Sequence, residues 1–161
     1  MKTTKMKKVL IALDYDPIAQ KVAETGFSLA KAMGAEAILL HVISDPVYYS
    51  STDYSPIVGL TGILSTDPLI LASEDGLRKA SEKFLEQSKQ HLGDKSIQVL
   101  VKDGDPGDVI LEAAKALHAD IIALGSHSHK WLENIIMGSV TEKVLHHTSV
   151  PLFIIPTKKH N

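Results

Sequence analysis

The sequence contains no cysteine. Disulfides, zinc–thiolate centres and thiol nucleophiles are therefore excluded, and a reducing cytoplasm is the expected location. Charge of one sign is missing too: 17 Lys and Arg stand against 19 Asp and Glu, a net −2. That balance argues against a nucleic-acid partner, which usually meets a basic face. No apolar run approaches the roughly 20 residues that a spanning helix needs, so no membrane partner is expected. The segment VLIAL after the basic MKTTKMKK stops at Asp14 and is too short for a signal-peptide core. There is no internal repeat and no low-complexity segment. What remains, 161 residues with 44% hydrophobic and 22% charged side chains, suits one globular domain spanning 1–161.

Several catalytic signatures are absent as well. No Gly-Lys-Ser/Thr opens a helix, so the common phosphate loop is excluded, and LDYDP after the first strand has no G-x-G-x-x-G fingerprint. No Ser-His-Asp set can be assigned, and no pair of acids is spaced for acid–base work. Without a phosphate-loop lysine or a water-activating group, fast nucleotide hydrolysis is not expected.

What is present is an alternation of strand and helix patterns. KVLIALD (8–14), EAILLHVI (36–43), SIQVLVKDG (96–104), DIIALG (120–125) and VPLFIIP (150–156) read as short buried strands. Between them lie amphipathic helices. The first is capped by Asp16, with Pro17 at its first position and Ile18, Val22, Leu29 and Met33 as its apolar stripe, and Gly34 ends it. The second starts after Ser73 and buries Leu77, Phe84, Leu85 and Leu92. The third turns Val109, Ile110, Ala113, Ala114 and Leu117 inward, and the fourth is SVTEKVLHHT. Alternation of this kind predicts an α/β fold, an open doubly wound five-stranded parallel sheet (Rossmann-like) with helices on both faces. Ligands on such sheets bind beyond the carboxyl ends of the strands, where strand order reverses. That directs attention to Asp14, Val42, Gly104 and Gly125. The rhythm breaks once, in a long connection at 44–71 rich in Pro, Gly, Ser and Thr, as lids and functional loops often are.

The stretch GSHSHKWLENIIMGS, Gly125 to Ser139, joins the fourth strand to the fourth helix. SVTE at its end fits a capping box, with Ser139 as the cap and Glu142 reaching back. A helix start exposes unpaired N–H groups and partial positive charge, which attract phosphate. Ser139 and Thr141 add hydroxyls in the first turn. A bare Gly-Ser cap is the competing reading of the same residues. His127 and His129 with His146 and His147 raise a metal centre, but the helix carries the latter pair away from the loop, so convergent ligands are not expected. Asp103 and Asp105 around Gly104 read as a turn.

This arrangement resembles the universal stress protein family, in its nucleotide-binding branch. Gly125, Ser128 and Gly138-Ser139 fall at the spacings of the family motif G-x2-G-x9-G-(S/T). The similarity also covers KVLIALD, LLHV, GDP, ADIIALGSH and MGSVTEKVLHHTSVPLFIIP. It implies the adenine nucleotide alpha hydrolase-like sheet and a bound ATP or other adenine nucleotide. Carried over by position, Ala12, Leu13 and Asp14 would flank adenine and ribose, and Val42 would offer backbone groups to the base edge. Leu124, Gly125 and His127 would line the ribose and phosphate path, and Gly138, Ser139, Val140 and Thr141 would bind phosphates. Magnesium would be shared between Asp14 and the phosphates, as one carboxylate plus phosphate oxygens commonly hold it. The departure is Ser128, where the family has glycine: its hydroxymethyl group either crowds the phosphates or adds a donor to them.

The terminal strand 150–156 is apolar and expected at the sheet edge, where self-pairing in a homodimer would cover it; the family often dimerises there. The expected function is a nucleotide-binding stress or regulatory module with slow or no hydrolysis, engaging an unknown protein partner. A slow ATPase or nucleotide hydrolase and a nucleotide-free dimeric adaptor are the alternatives.

Overall fold

The computed structural model describes residues 5–14, 18–44, 74–126 and 137–157. The expected helix starts at Asp16–Pro17 and Ser73, the long connection from residue 45 onward, and His127, Ser128 and His129 lie outside the described residues.

The order is β1 (Lys8–Ala12), α1 (Ala19–Met33), β2 (Glu36–Ile43), α2 (Glu74–Leu92), β3 (Gln98–Asp103), α3 (Pro106–Ala116), β4 (Ile121–Gly125), α4 (Ser139–His147) and β5 (Leu152–Ile155). All pairings are parallel and the strand order is β3-β2-β1-β4-β5. This is the five-stranded sheet that the alternation predicts. Order reverses between β1 and β4, so the crevice that can take a ligand opens above that pair.

Side chains alternate across the sheet and divide the core in two. On one face Val9, Ile11, Leu39 and Ala123 pack with Val22, Ala23 and Ala30 of α1 and Leu85 of α2. On the other, Leu10, Ile38, Leu40 and Ile122 pack with Ile110, Ala113 and Ala114 of α3 and Val144 of α4. Burial on both faces is why these strands read as unbroken apolar runs. Gly34 ends α1 with a left-handed φ of 64°, and the Ala35 N–H then closes on the Ala30 carbonyl at 2.8 Å, a turn that glycine makes without strain. At the amino edge of the sheet, the Asp120 carboxylate accepts from the N–H groups of Lys7 (2.7 Å) and Lys8 (2.9 Å), bonds that hold its pKa below the ordinary range.

Candidate functional site

At the carboxyl edge the strands stop at different heights. Ala12 is the last β1 residue paired with β2, opposite Leu40, and the Leu13 N–H still donates to the Leu40 carbonyl at 2.8 Å. β2 runs on through His41, Val42 and Ile43 beside β3. In a parallel ladder, both backbone groups of a residue face one neighbour and alternate along the strand. Leu40 faces β1, and Ile43 faces β3, where its carbonyl accepts from Gly104 at 3.0 Å. Val42 therefore turns its N–H and carbonyl to the β1 side, above the point where β1 has ended.

On the other side of the crevice, α4 is bound to the end of β4. The Gly138 N–H donates to the Ser126 carbonyl, and the Thr141 hydroxyl donates to the Gly125 carbonyl, both at 2.8 Å. The first intrahelical bond, from Glu142 N–H to the Gly138 carbonyl, is 2.9 Å. The N–H groups of Ser139, Val140 and Thr141 thus precede the ladder, at the end of the helix that favours anions.

Between these walls lies a cavity of about 300 Å³, at the lower end of the range for small-molecule sites. Ala12, Leu13, Ile18, Val22, Leu40 and Ile110 make much of its apolar lining, and Asp14, Ser44, Asp105, Ser139 and Thr157 bring polar groups to it. An apolar slot with a few polar groups and a helix start suits a flat, partly apolar molecule carrying an anionic tail. Among the described residues no three His, Cys, Asp or Glu side chains cluster to hold a metal ion.

Nine of the sequence-selected positions meet here: Ala12, Leu13, Asp14, Val42, Leu124, Gly125, Ser139, Val140 and Thr141 line the one cavity. Gly138 stands behind it through its bond to Ser126, and His127 and Ser128 lie outside the described residues. The capping box needs correction. Gly138 is the N-cap, extended at φ −70° and ψ 157° and without a side chain to cap the helix, and Ser139 is the first helical residue. The tertiary bond from Gly138 to Ser126 goes with a helix start one residue earlier than the S-x-x-E pattern suggests. Ser139 is consequently exposed to the cavity rather than occupied with its own helix. Thr141 is the reverse case: it is 2% exposed, and its hydroxyl hydrogen goes to Gly125.

Two contributors escape the sequence reading. His41 is 1% exposed, and its Nδ1 lies 2.8 Å from the Leu13 carbonyl. A carbonyl only accepts, so Nδ1 carries the hydrogen. Burial pushes its pKa down, against the pull of that bond and of the Asp14 charge, and the ring meets the Phe84 ring edge-on at 6.3 Å. His41 thereby fixes the backbone immediately before Asp14. The second is Asp105, expected as a turn residue. It caps α3, accepting from the Asp108 N–H at 3.1 Å, and it takes the Lys143 ammonium of α4 at 2.9 Å. Lys143 also reaches Asp108 at 2.9 Å. The Lys143 bond, then the Asp108 N–H, lower the Asp105 pKa. Only the D-P-x-D spacing hinted at a cap, and nothing local announces a lysine 38 residues away.

A family model described as the universal stress protein family matches residues 5–156. The chain is 29% identical over 151 residues to Universal stress protein YxiE of Bacillus subtilis, covering 92% of this chain and 97% of that one. It is 27% identical over 155 residues to Universal stress protein MJ0577 of Methanocaldococcus jannaschii, covering 94% and 96%. The solved structure of MJ0577 matches with a TM-score of 0.69 at 25% identity, over 98% of this chain and 100% of that one. A universal stress protein solved in complex with cAMP shares the fold, with a TM-score of 0.61 at 18% identity over 96% and 100%.

Proposed function

The chain belongs to the universal stress protein family, and we propose that it binds ATP or another adenine nucleotide in the β1–β4 crevice as a regulatory module. The observation that carries this reading is the single cavity shared by the end of β1, the end of β2 and the start of α4. Adenine fits the apolar slot, with its edge on the outward-facing backbone of Val42. Ala12, Leu13 and Asp14 flank base and ribose, Leu124 and Gly125 line the way to the phosphates, and His127 and Ser128 complete that path. The phosphates meet Gly138 and the N–H groups of Ser139, Val140 and Thr141. The Ser139 hydroxyl, free of capping, adds a donor. Magnesium with one carboxylate from Asp14 and the rest from phosphate and water suits a site with few converging acids. It would neutralise phosphate charge. A relative of the same fold was solved with cAMP, an adenine nucleotide.

Hydrolysis is slow or absent in this reading, because the chain has no phosphate-loop lysine. The nucleotide acts as a signal in the cytoplasm, biasing which protein partner is engaged. β5 is an edge strand with Leu152, Phe153 and Ile154 half-buried. Pairing with the β5 of a second copy covers it, giving a homodimer through 150–156. Sedimentation equilibrium tests this: dimers support it and monomers at tens of micromolar contradict it.

The nucleotide reading is tested by denaturing purified protein, identifying released small molecules by mass spectrometry, and titrating ATP with magnesium by calorimetry. Adenine nucleotide in the supernatant or saturable heat supports it. Neither would leave a nucleotide-free adaptor as the better description. Turnover unchanged by Asp14→Ala and Ser139→Ala would count against catalysis at this site.

A further inference from the structure

The cavity has two carboxylates on its wall, Asp14 and Asp105, and no lysine or arginine among its described lining residues. In the nucleotide reading, magnesium meets Asp14. Nothing in that reading meets Asp105, which its bonds to Lys143, then to the Asp108 N–H, keep ionised. The cation that answers it comes from behind the wall. Lys143 stands one turn beyond Ser139 on α4, and a helical side chain leans back toward the helix start. Its ammonium lies 2.9 Å from the carboxylates of both Asp105 and Asp108, at the capped start of α3. Asp108, then Asp105, raise its pKa, so it stays charged. Its stem crosses the first turn of α3 where Gly107 leaves room: a Cβ there would stand 2.7 Å from Lys143 Cδ and 3.1 Å from Cγ. Two acids and one lysine leave this group with an excess of negative charge beside a cavity assigned to phosphates.

We propose that Lys143 is a positioning residue that acts through Asp105: it holds the wall carboxylate in an ion pair, and so lets the cavity accept an anionic tail. This rests on the nucleotide reading above. Without the ammonium, Asp105 and Asp108 lie uncompensated beside the cavity. Their repulsion of the phosphates acts through space and is screened by salt. A neutral nucleoside in the same slot does not feel it. The bonds that tie α4 to β4, Gly138 to Ser126 and Thr141 to Gly125, do not involve Lys143. The effect is therefore one of charge and not of helix placement.

The experiment is a calorimetric titration of ATP with magnesium, and separately of adenosine, into the wild type, Lys143→Met and Asp108→Asn at low salt. Methionine keeps an apolar stem across Gly107 and removes the charge. Lys143→Met is expected to bind ATP about 5-fold more weakly, the scale of one partly screened charge, and to bind adenosine as the wild type does. An equal loss for both ligands assigns Lys143 to the fold alone and overturns the inference, and so does no loss for either. Asp108→Asn works in the opposite sense. Asp108 does not line the cavity, and its neutralisation leaves the ammonium to Asp105. ATP is then expected to bind about 3-fold more tightly, with adenosine unchanged. This arm needs no Lys143 variant that folds, and weaker or unchanged ATP binding in it overturns the inference. Binding of ATP by the wild type leaves the nucleotide reading standing in each of these cases, and its absence overturns both.

Discussion

Thr141→Val is the sharpest probe of how the site is held. Thr141 is 2% exposed and its hydroxyl donates to the Gly125 carbonyl at 2.8 Å. Valine keeps the shape and removes the donor, leaving a half-buried carbonyl without that bond. The net worth of such a bond is about 1 kcal/mol, rising to about 3 kcal/mol when the abandoned partner finds no water. In a chain of this size each kcal/mol moves Tm by about 2–4 °C, so a fall of about 2–12 °C is expected. Thr141→Ser keeps the donor and loses one methyl group, about 0.8 kcal/mol. The two variants therefore separate in ATP titration more than in stability. Valine frees the start of α4 from the end of β4 and weakens ATP binding, and serine leaves affinity near that of the wild type. Urea unfolding and calorimetry on the three proteins decide it. A valine variant as stable as the wild type, with unchanged affinity, would refute the claim that this bond positions the helix.

Ser139→Ala should leave Tm unchanged, because Gly138 and not Ser139 is the helix cap, and should lower ATP affinity about 10-fold by calorimetry. Gly104→Ala forces a side chain onto a φ of 135° with its Cβ 2.9 Å from Val109 Cγ2, so urea unfolding should show a loss above about 1 kcal/mol. The pH dependence has two windows. His41 is depressed in the folded chain, so the unfolded chain binds the extra proton, and this contribution is full above about pH 6.5 and declines below it. Around that ring, among the described residues, stand the Leu13 carbonyl, which holds the proton on Nδ1, the Asp14 charge and the Phe84 edge, with other contacts besides. Asp105 and Asp120, also depressed, lose their contribution only as pH falls below about 4. Urea midpoints at pH 7.5 and 5.5 should therefore fall in the wild type and fall less in His41→Gln; equal slopes would contradict the His41 assignment.

The sheet was legible because parallel strands buried on both faces leave uninterrupted apolar runs, and because Gly34 marks a helix end that other residues make only with strain. The carboxyl-edge rule then led to Asp14, Val42 and Gly125, which do line one cavity. Gly104, chosen by the same rule, instead joins β3 to β2 through Ile43. What the residues alone could not express is tertiary bonding. The S-x-x-E pattern at Ser139 is a local signal, and a bond from Gly138 to Ser126 overrode it. Thr141 read as a phosphate donor because its distance from Gly125 is not visible along the chain. Asp105 read as a turn because Lys143 reaches it from another helix. His41 passed as one polar residue in LLHV; only the folded chain brings the Leu13 carbonyl to its ring.

The central claim is that one crevice takes the base at Val42 and the phosphates at the start of α4. The most direct test is a 15N–1H amide spectrum of the assigned protein titrated with ATP and magnesium. Saturable shifts should concentrate at Asp14, Val42, Gly125 and Ser139 to Thr141, with AMP reproducing those at Val42 and weakening those at Ser139. Saturable shifts clustered elsewhere, or none at all, would contradict the account.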